Sequence, residues 1–297
     1  MVIVPRDFGQ VLNDAIIGLG GVWRVLIWPA LLLSVPVSIA TIVAFSTTGG
    51  ADFIDLALND PESLQALPEE VFRELVRPFY IAIAIASLLQ LVAGVFLALI
   101  SHRAVAANLS GQPVSSREAA RDALRRYPTG LGATLIVILF VGVLMAIGAI
   151  VWLTPLTSVG VPNAASALVA VVLLVVVLGP GIWAGVSVSM TTVAITVERR
   201  GALDSIRRSM RLVRGRWWTT AGFLLLVGLL GGIAVQLIQL IALPLAVVGG
   251  GGAALTIASG FGALAQGLLI AAISAMYTHW YVDLRARTES LSTESLG

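Results

Sequence analysis

Two histidines, His102 and His279, are the only imidazoles among the 297 residues. Hydrolysis of a phosphodiester would need such groups beside a carboxylate cluster that holds a divalent cation. Both histidines instead close apolar runs on the arginine-rich side, where the C-terminal end of a helix favours a cation, and interfacial anchoring is expected of them. Seven carboxylates (Asp52, Asp55, Asp60, Glu62, Glu69, Glu70 and Glu74) gather between residues 47 and 78, but without the spacing of a calcium loop. A solvated, charge-biased loop is the expected reading. The chain has no cysteine, which excludes thiolate metal sites and cysteine nucleophiles, and no lysine, which excludes a Walker-type phosphate loop. No enzyme, cofactor, metal site or nucleic-acid partner is expected.

The uncharged polar groups are more suggestive. Gln90, Gln236, Gln239 and Gln266 lie inside long apolar runs, next to small residues at helical spacing. Ala82, Ala86, Gln90, Gly94 and Ala98 form one stripe, Gly228, Gly232 and Gln236 a second, and Ala263, Gly267, Ala271 and Ala275 a third beside Gln266. Small residues let helices approach closely, and amides can then bond across the seam. Gln236 and Gln266 fall at similar depths, so these two are expected to share one seam; a polar substrate path is the alternative.

Arginine carries all the basic charge, with 18 residues. Residues 198–216 hold seven arginines against two acids, and residues 102–128 hold five against two. In the first stretch Leu203, Ile206, Met210, Val213 and Trp217 step by helical intervals, and Arg207, Arg208, Arg211 and Arg214 fall off that stripe. With Arg125, Arg126 and Arg216, these form the candidate surface for anionic lipid headgroups or a partner protein. Each such charge contributes about 1 kcal/mol near an anionic leaflet. Basic loops that merely fix topology are the plainer reading.

The elements that must position these groups follow from charge-free length. Between Arg126 and Glu198 run 71 residues without Asp, Glu, Lys or Arg. A spanning helix needs about 20 apolar residues, and six segments qualify: 22–46, 79–101, 130–153, 165–197, 219–243 and 257–281. Gly179-Pro180-Gly181 predicts a kink in the fourth, and Pro29 and Pro36 bends in the first. Pro68 to Val76 reads as a short amphipathic helix in the long loop. Of the arginines, 16 lie in 1–24, 102–128, 198–216 and 283–297, all on one side of the six spans. The positive-inside rule puts that side, with both termini, in the cytoplasm.

Each basic stretch leads into an odd-numbered span with helical periodicity. Ser115-Ser116-Arg117-Glu118 is a capping box, followed by Ala119, Ala120, Ala123, Leu124 and Tyr127; Phe8, Leu12, Ala15 and Leu19 form the first counterpart. The expected architecture is all-α and polytopic, one membrane domain over 1–297. It is built from three repeats of an interfacial amphipathic helix plus a transmembrane hairpin: about 1–101, 102–197 and 198–284, with a tail at 285–297.

The segment from Ser205 to Trp218, with Arg207-Arg208-Ser209, Leu212 and Arg214-Gly215 ahead of Trp217-Trp218, resembles a motif of bacterial glycerophosphodiester phosphodiesterase membrane domains. Tyr281-Val282-Asp283-Leu284-Arg285-Ala286-Arg287-Thr288-Glu289 is similar to the tail that closes many of them. The resemblance implies a bacterial plasma-membrane protein that lacks the catalytic part. A non-enzymatic scaffold or accessory subunit is expected, binding anionic lipid and a partner protein. A transporter or flippase for a lipid or small amphiphile is the alternative.

Overall fold

In the computed structural model, residues 7–48, 53, 56, 60–112, 114–158, 176, 178–249 and 251–289 are described. For 61, 64, 65, 145, 147–158, 239, 241–249 and 251–256 the backbone alone is described. Among the described residues every regular element is a helix, and six helical segments, one of them Leu178–Val197 with a break at Ser189–Met190, are long and apolar enough to cross a membrane. In chain order these elements are α1 (Phe8–Thr48), α2 (Pro61–Ala66), α3 (Glu69–Leu109), α4 (Ser116–Ser158), α5 (178–188), α6 (Thr191–Val197), α7 (Ala202–Arg214), α8 (Trp217–Gly249) and α9 (Gly251–Thr288).

The first and second basic stretches do not form helices of their own. Phe8, Leu12, Ala15 and Leu19 belong to α1, which continues through Pro29 and Pro36 to Thr48. The capping box at Ser115 forms as expected, with the Ser115 amide donating to Glu118 Oε2 at 3.0 Å and the Glu118 amide to Ser115 Oγ at 3.2 Å. The helix it starts then runs unbroken into the span. Ala119 and Ala123 are buried, whereas Leu124 is exposed. Only the third stretch is a separate helix, because α7 ends at Gly215 and α8 restarts at Trp217. Likewise, the short helix expected from Pro68 to Val76 is the opening of α3, which begins at Glu69 with Pro68 as its N-cap. Pro78, between Val76 and the span, does not interrupt the helix, so the amphipathic start and the apolar run merge.

In the fourth apolar run, Gly179, Pro180 and Gly181 are helical, and the described break falls later, at Ser189–Met190. Residues 159–175, where that run begins, lie outside the described residues.

Helix α9 is central and packs against α1, α3 and α8. Its small-residue stripe faces inward, with Ala263, Ala271 and Ala275 all buried. A Cβ at Gly267 would overlap Ser34 Oγ of α1, and one at Gly260 would come within 2.5 Å of Ile42 Cδ1. The α3 stripe meets α9 too: Gly94 lies against Ile270, and Gln90 Nε2 donates to the Ala263 carbonyl at 3.0 Å. The α8 stripe faces elsewhere. Gly228 and Gly232 have open space where a side chain would be, and Gly231 is the glycine pressed on Leu269 and Ile273. That register follows from Phe223 and Val227, both buried, which with Gly231 set the packed face of α8 at four-residue steps.

Candidate functional site

At the arginine-rich end the chain builds a buried ion cluster around Glu198, the residue that caps α6. Glu198 Oε1 accepts from Tyr281 Oη at 2.5 Å and from Arg208 Nε at 2.9 Å, and Arg285 Nε lies 3.2 Å away as an ion-pair partner. Its Oε2 accepts from Arg200 Nε at 2.6 Å. Arg208 Nη2 also pairs with Glu289 Oε1 at 2.5 Å, and Arg285 Nε with Glu289 Oε2 at 3.3 Å. Burial pushes the Glu198 carboxyl up, but the bonds from Tyr281, Arg208 and Arg200 outweigh it and hold the group below the usual carboxylate range. Four elements converge here: the end of α6, the 198–201 connection, α7 and the end of α9.

The local sequence explains the geometry. Ser205, Ser209 and Leu212 lie on the packed face of α7, and the two serines let the helix come close. Ser209 Oγ donates to the Ser187 carbonyl at 2.8 Å and accepts the Met190 amide at 3.1 Å, so α7 is fastened to the break between α5 and α6. Arg199 follows the α6 cap with φ 56°, the one positive φ of a non-glycine residue among those described. This is the position where glycine usually ends a helix. Trp280 stacks on Phe223 with ring centroids 4.7 Å apart, Phe8 meets its ring edge-on at 5.8 Å, and Tyr281 beside it is wholly buried.

The candidate arginines are thereby sorted. Arg125, Arg207, Arg211, Arg214 and Arg216 are exposed. Arg126 is half-buried, with Nη1 donating to the Ile195 carbonyl at 3.3 Å. Arg208, expected on the polar face, is 8% exposed and committed to Glu198 and Glu289. The apolar stripe of α7 is corrected with it: Val213 is buried, but Leu203 is 59% exposed and Met210 37%. Ion pairing and serine-mediated contact thus choose the buried face over hydrophobicity. Leu203, Met210, Arg207, Arg211 and Arg214 share the open face, followed by Trp218 at 83% exposed.

The glutamines also separate. Gln90 and Gln266 line a cavity of about 680 Å³ between helices, while exposed Gln236 lines a different groove with Gly228 and Gly232. The expected pairing of Gln236 with Gln266 does not form, because the packed face of α8 turns Gln236 outward. The side chain of Gln239 lies outside the described residues. His102 is not an interfacial anchor: it is 1% exposed, with Nδ1 2.9 Å from Thr278 Oγ1 and 3.0 Å from the Ser274 carbonyl, and Nε2 3.1 Å from Thr192 Oγ1. It ties α3 to α9 and α6. His279 is buried too, against Gly18 of α1.

Glu198, Arg200, Tyr281, Arg285 and Glu289 were not singled out by charge density. The two segments from Ser205 to Trp218 and from Tyr281 to Glu289, distant in sequence, meet at Glu198, and that pairing was their signal. No group of three or more metal-binding side chains occurs among the described residues.

A family model described as Domain of unknown function (DUF7847) matches residues 31–284, and the chain belongs to that family. No curated protein and no solved structure matches it.

Proposed function

We propose that this DUF7847 protein is a non-enzymatic membrane scaffold or accessory subunit that binds anionic lipid and a partner protein through an arginine-rich face. The observation that carries the reading is the open face of α7, where Arg207, Arg211 and Arg214 alternate with exposed Leu203 and Met210 beside Trp218. Apolar side chains entering the acyl boundary next to guanidinium groups at phosphate depth are how an interfacial helix binds an anionic leaflet. The proposed setting is a bacterial plasma membrane, with both termini and α7 on the cytoplasmic side. The proposed plan is three repeats of interfacial helix plus hairpin, of which the third alone has its interfacial helix set apart. Kinship with the membrane part of glycerophosphodiester phosphodiesterase proteins is part of the same proposal. Replacing Arg207, Arg211 and Arg214 with Gln should abolish salt-sensitive retention of phosphatidylglycerol by the purified protein, measured against phosphatidylcholine. Unchanged retention would sink this reading.

The second reading is a transporter or flippase, and the cavity of about 680 Å³ favours it. Gln90 and Gln266, with five serines and threonines, put polar groups into an otherwise apolar lining, a combination that suits an amphiphile. Proteoliposomes test it. If the protein accelerates transbilayer exchange of a fluorescent phospholipid, and Ala86→Phe in the cavity wall stops it, this reading displaces the scaffold.

A further inference from the structure

We propose that the cavity beside Glu198 is a binding site for a phosphate-type oxyanion, either free in solution or carried on a lipid headgroup. The cavity, about 440 Å³, is walled by Glu198, Arg199, Arg200, Arg208, Arg285 and Glu289. Four guanidinium groups against two carboxylates leave the wall net +2. Both carboxylates are already engaged, Glu198 by Tyr281, Arg200, Arg208 and Arg285, and Glu289 by Arg208 and Arg285. The surplus positive charge therefore has no internal answer.

Two further observations point to a ligand. Arg285 is 9% exposed, and its Nη1 is buried without a hydrogen-bond partner. Enclosing a charged donor with no acceptor is costly, and an oxyanion in the adjoining cavity supplies the acceptor. Arg199 holds φ 56° where glycine would be unstrained, and it makes no ion pair among the described residues. Strain of this kind is held in place by the surrounding structure and clusters at ligand sites. The planar guanidinium fork matches phosphate oxygens two at a time, and several forks on one cavity select a group with at least three oxygens over a simple carboxylate. None of the exposed arginines of α7 is used, so this site stands or falls separately from the lipid-binding face.

The test is titration of the full-length protein in detergent with inorganic phosphate at constant ionic strength, read by phosphorus NMR and by thermal stability. Saturable binding with a rise in melting temperature is expected. Arg199→Gly keeps the backbone conformation and breaks no ion pair, and it should weaken binding about tenfold, equivalent to about 1.4 kcal/mol. Arg285→Lys should weaken it at least as much, and Arg207→Gln should leave it unchanged. In a second arm, nanodiscs of phosphatidylcholine are compared with discs containing phosphatidic acid. Weaker phosphate binding in the latter assigns the site to a lipid headgroup, and equal binding assigns it to the free ion. Absence of saturable binding, an equal response to added chloride, or full affinity in Arg199→Gly overturns the proposal.

Discussion

Ser209 of α7 and Ser187 of α5 are joined by a 2.8 Å bond from hydroxyl to main-chain carbonyl, and the same hydroxyl receives the Met190 amide. One side chain thus satisfies two of the backbone groups freed where the helix breaks, one acceptor and one donor. The break and the placement of Arg208 against Glu198 are one construction.

Ser209→Ala should therefore lower stability by about 1–3 kcal/mol, the cost of leaving buried peptide groups unpaired. Ser205, one turn earlier and equally buried, has a hydroxyl with no partner. Ser205→Ala should be neutral or stabilising. Thermal unfolding of the two variants in the same detergent decides it, and equal losses would show that α7 is not held by this bond.

The Glu198 cluster predicts an acid transition. Because the folded carboxyl titrates below its ordinary range, its contribution is complete at neutral pH and is lost as pH falls through the depressed value. Wild-type protein should lose melting temperature on acidification. Glu198→Gln should start lower, by about 3–5 kcal/mol for a buried pair stripped of one partner. It should also show a flatter acid profile, measured as melting temperature against pH.

Close approach of α1 and α9 predicts a strongly position-dependent glycine scan. Gly267→Ala forces the overlap with Ser34 and should cost about 1–3 kcal/mol. Ser34→Gly in the same chain should recover much of that loss. Gly232→Ala, which meets open space, should change stability by less than about 0.5 kcal/mol. Denaturation of the four proteins would expose an error if Gly232 proved the more sensitive site.

Sidedness can be read without background because the chain has no cysteine. Cysteines placed at Ser63 and at exposed Arg207 should react with a membrane-impermeant reagent from opposite faces of intact cells or spheroplasts. Labelling of both from one face would end the six-span topology.

The six apolar helices, the capping box and the α9 stripe were legible because each depends on local spacing. What was not legible depended on partners distant in the chain. The α7 stripe promised burial for Leu203 and Met210, but Ser209 and Arg208 offered Ser187, Met190 and Glu198 something stronger than apolar contact. Periodicity also could not choose between Gly228 with Gly232 and Gly231, since both lie on the same helix and only the position of α9 distinguishes them. The basic stretches of α1 and α4 read as separate helices because their composition changes at the span, although the backbone does not.

Gly260 and Gly267 have a consequence for biogenesis. They lie in α9, which follows the other described helices in chain order, yet they receive side chains of α1, Ile42 and Ser34. Helix α1 can meet α3 early in synthesis, but its contact with α9 forms only after the helices between them have been made. Truncation before α9 would strip α1 of the seam at Ser34 and Ile42 and leave it only its contact with α3, so docking of α9 on α1 closes the bundle of described helices.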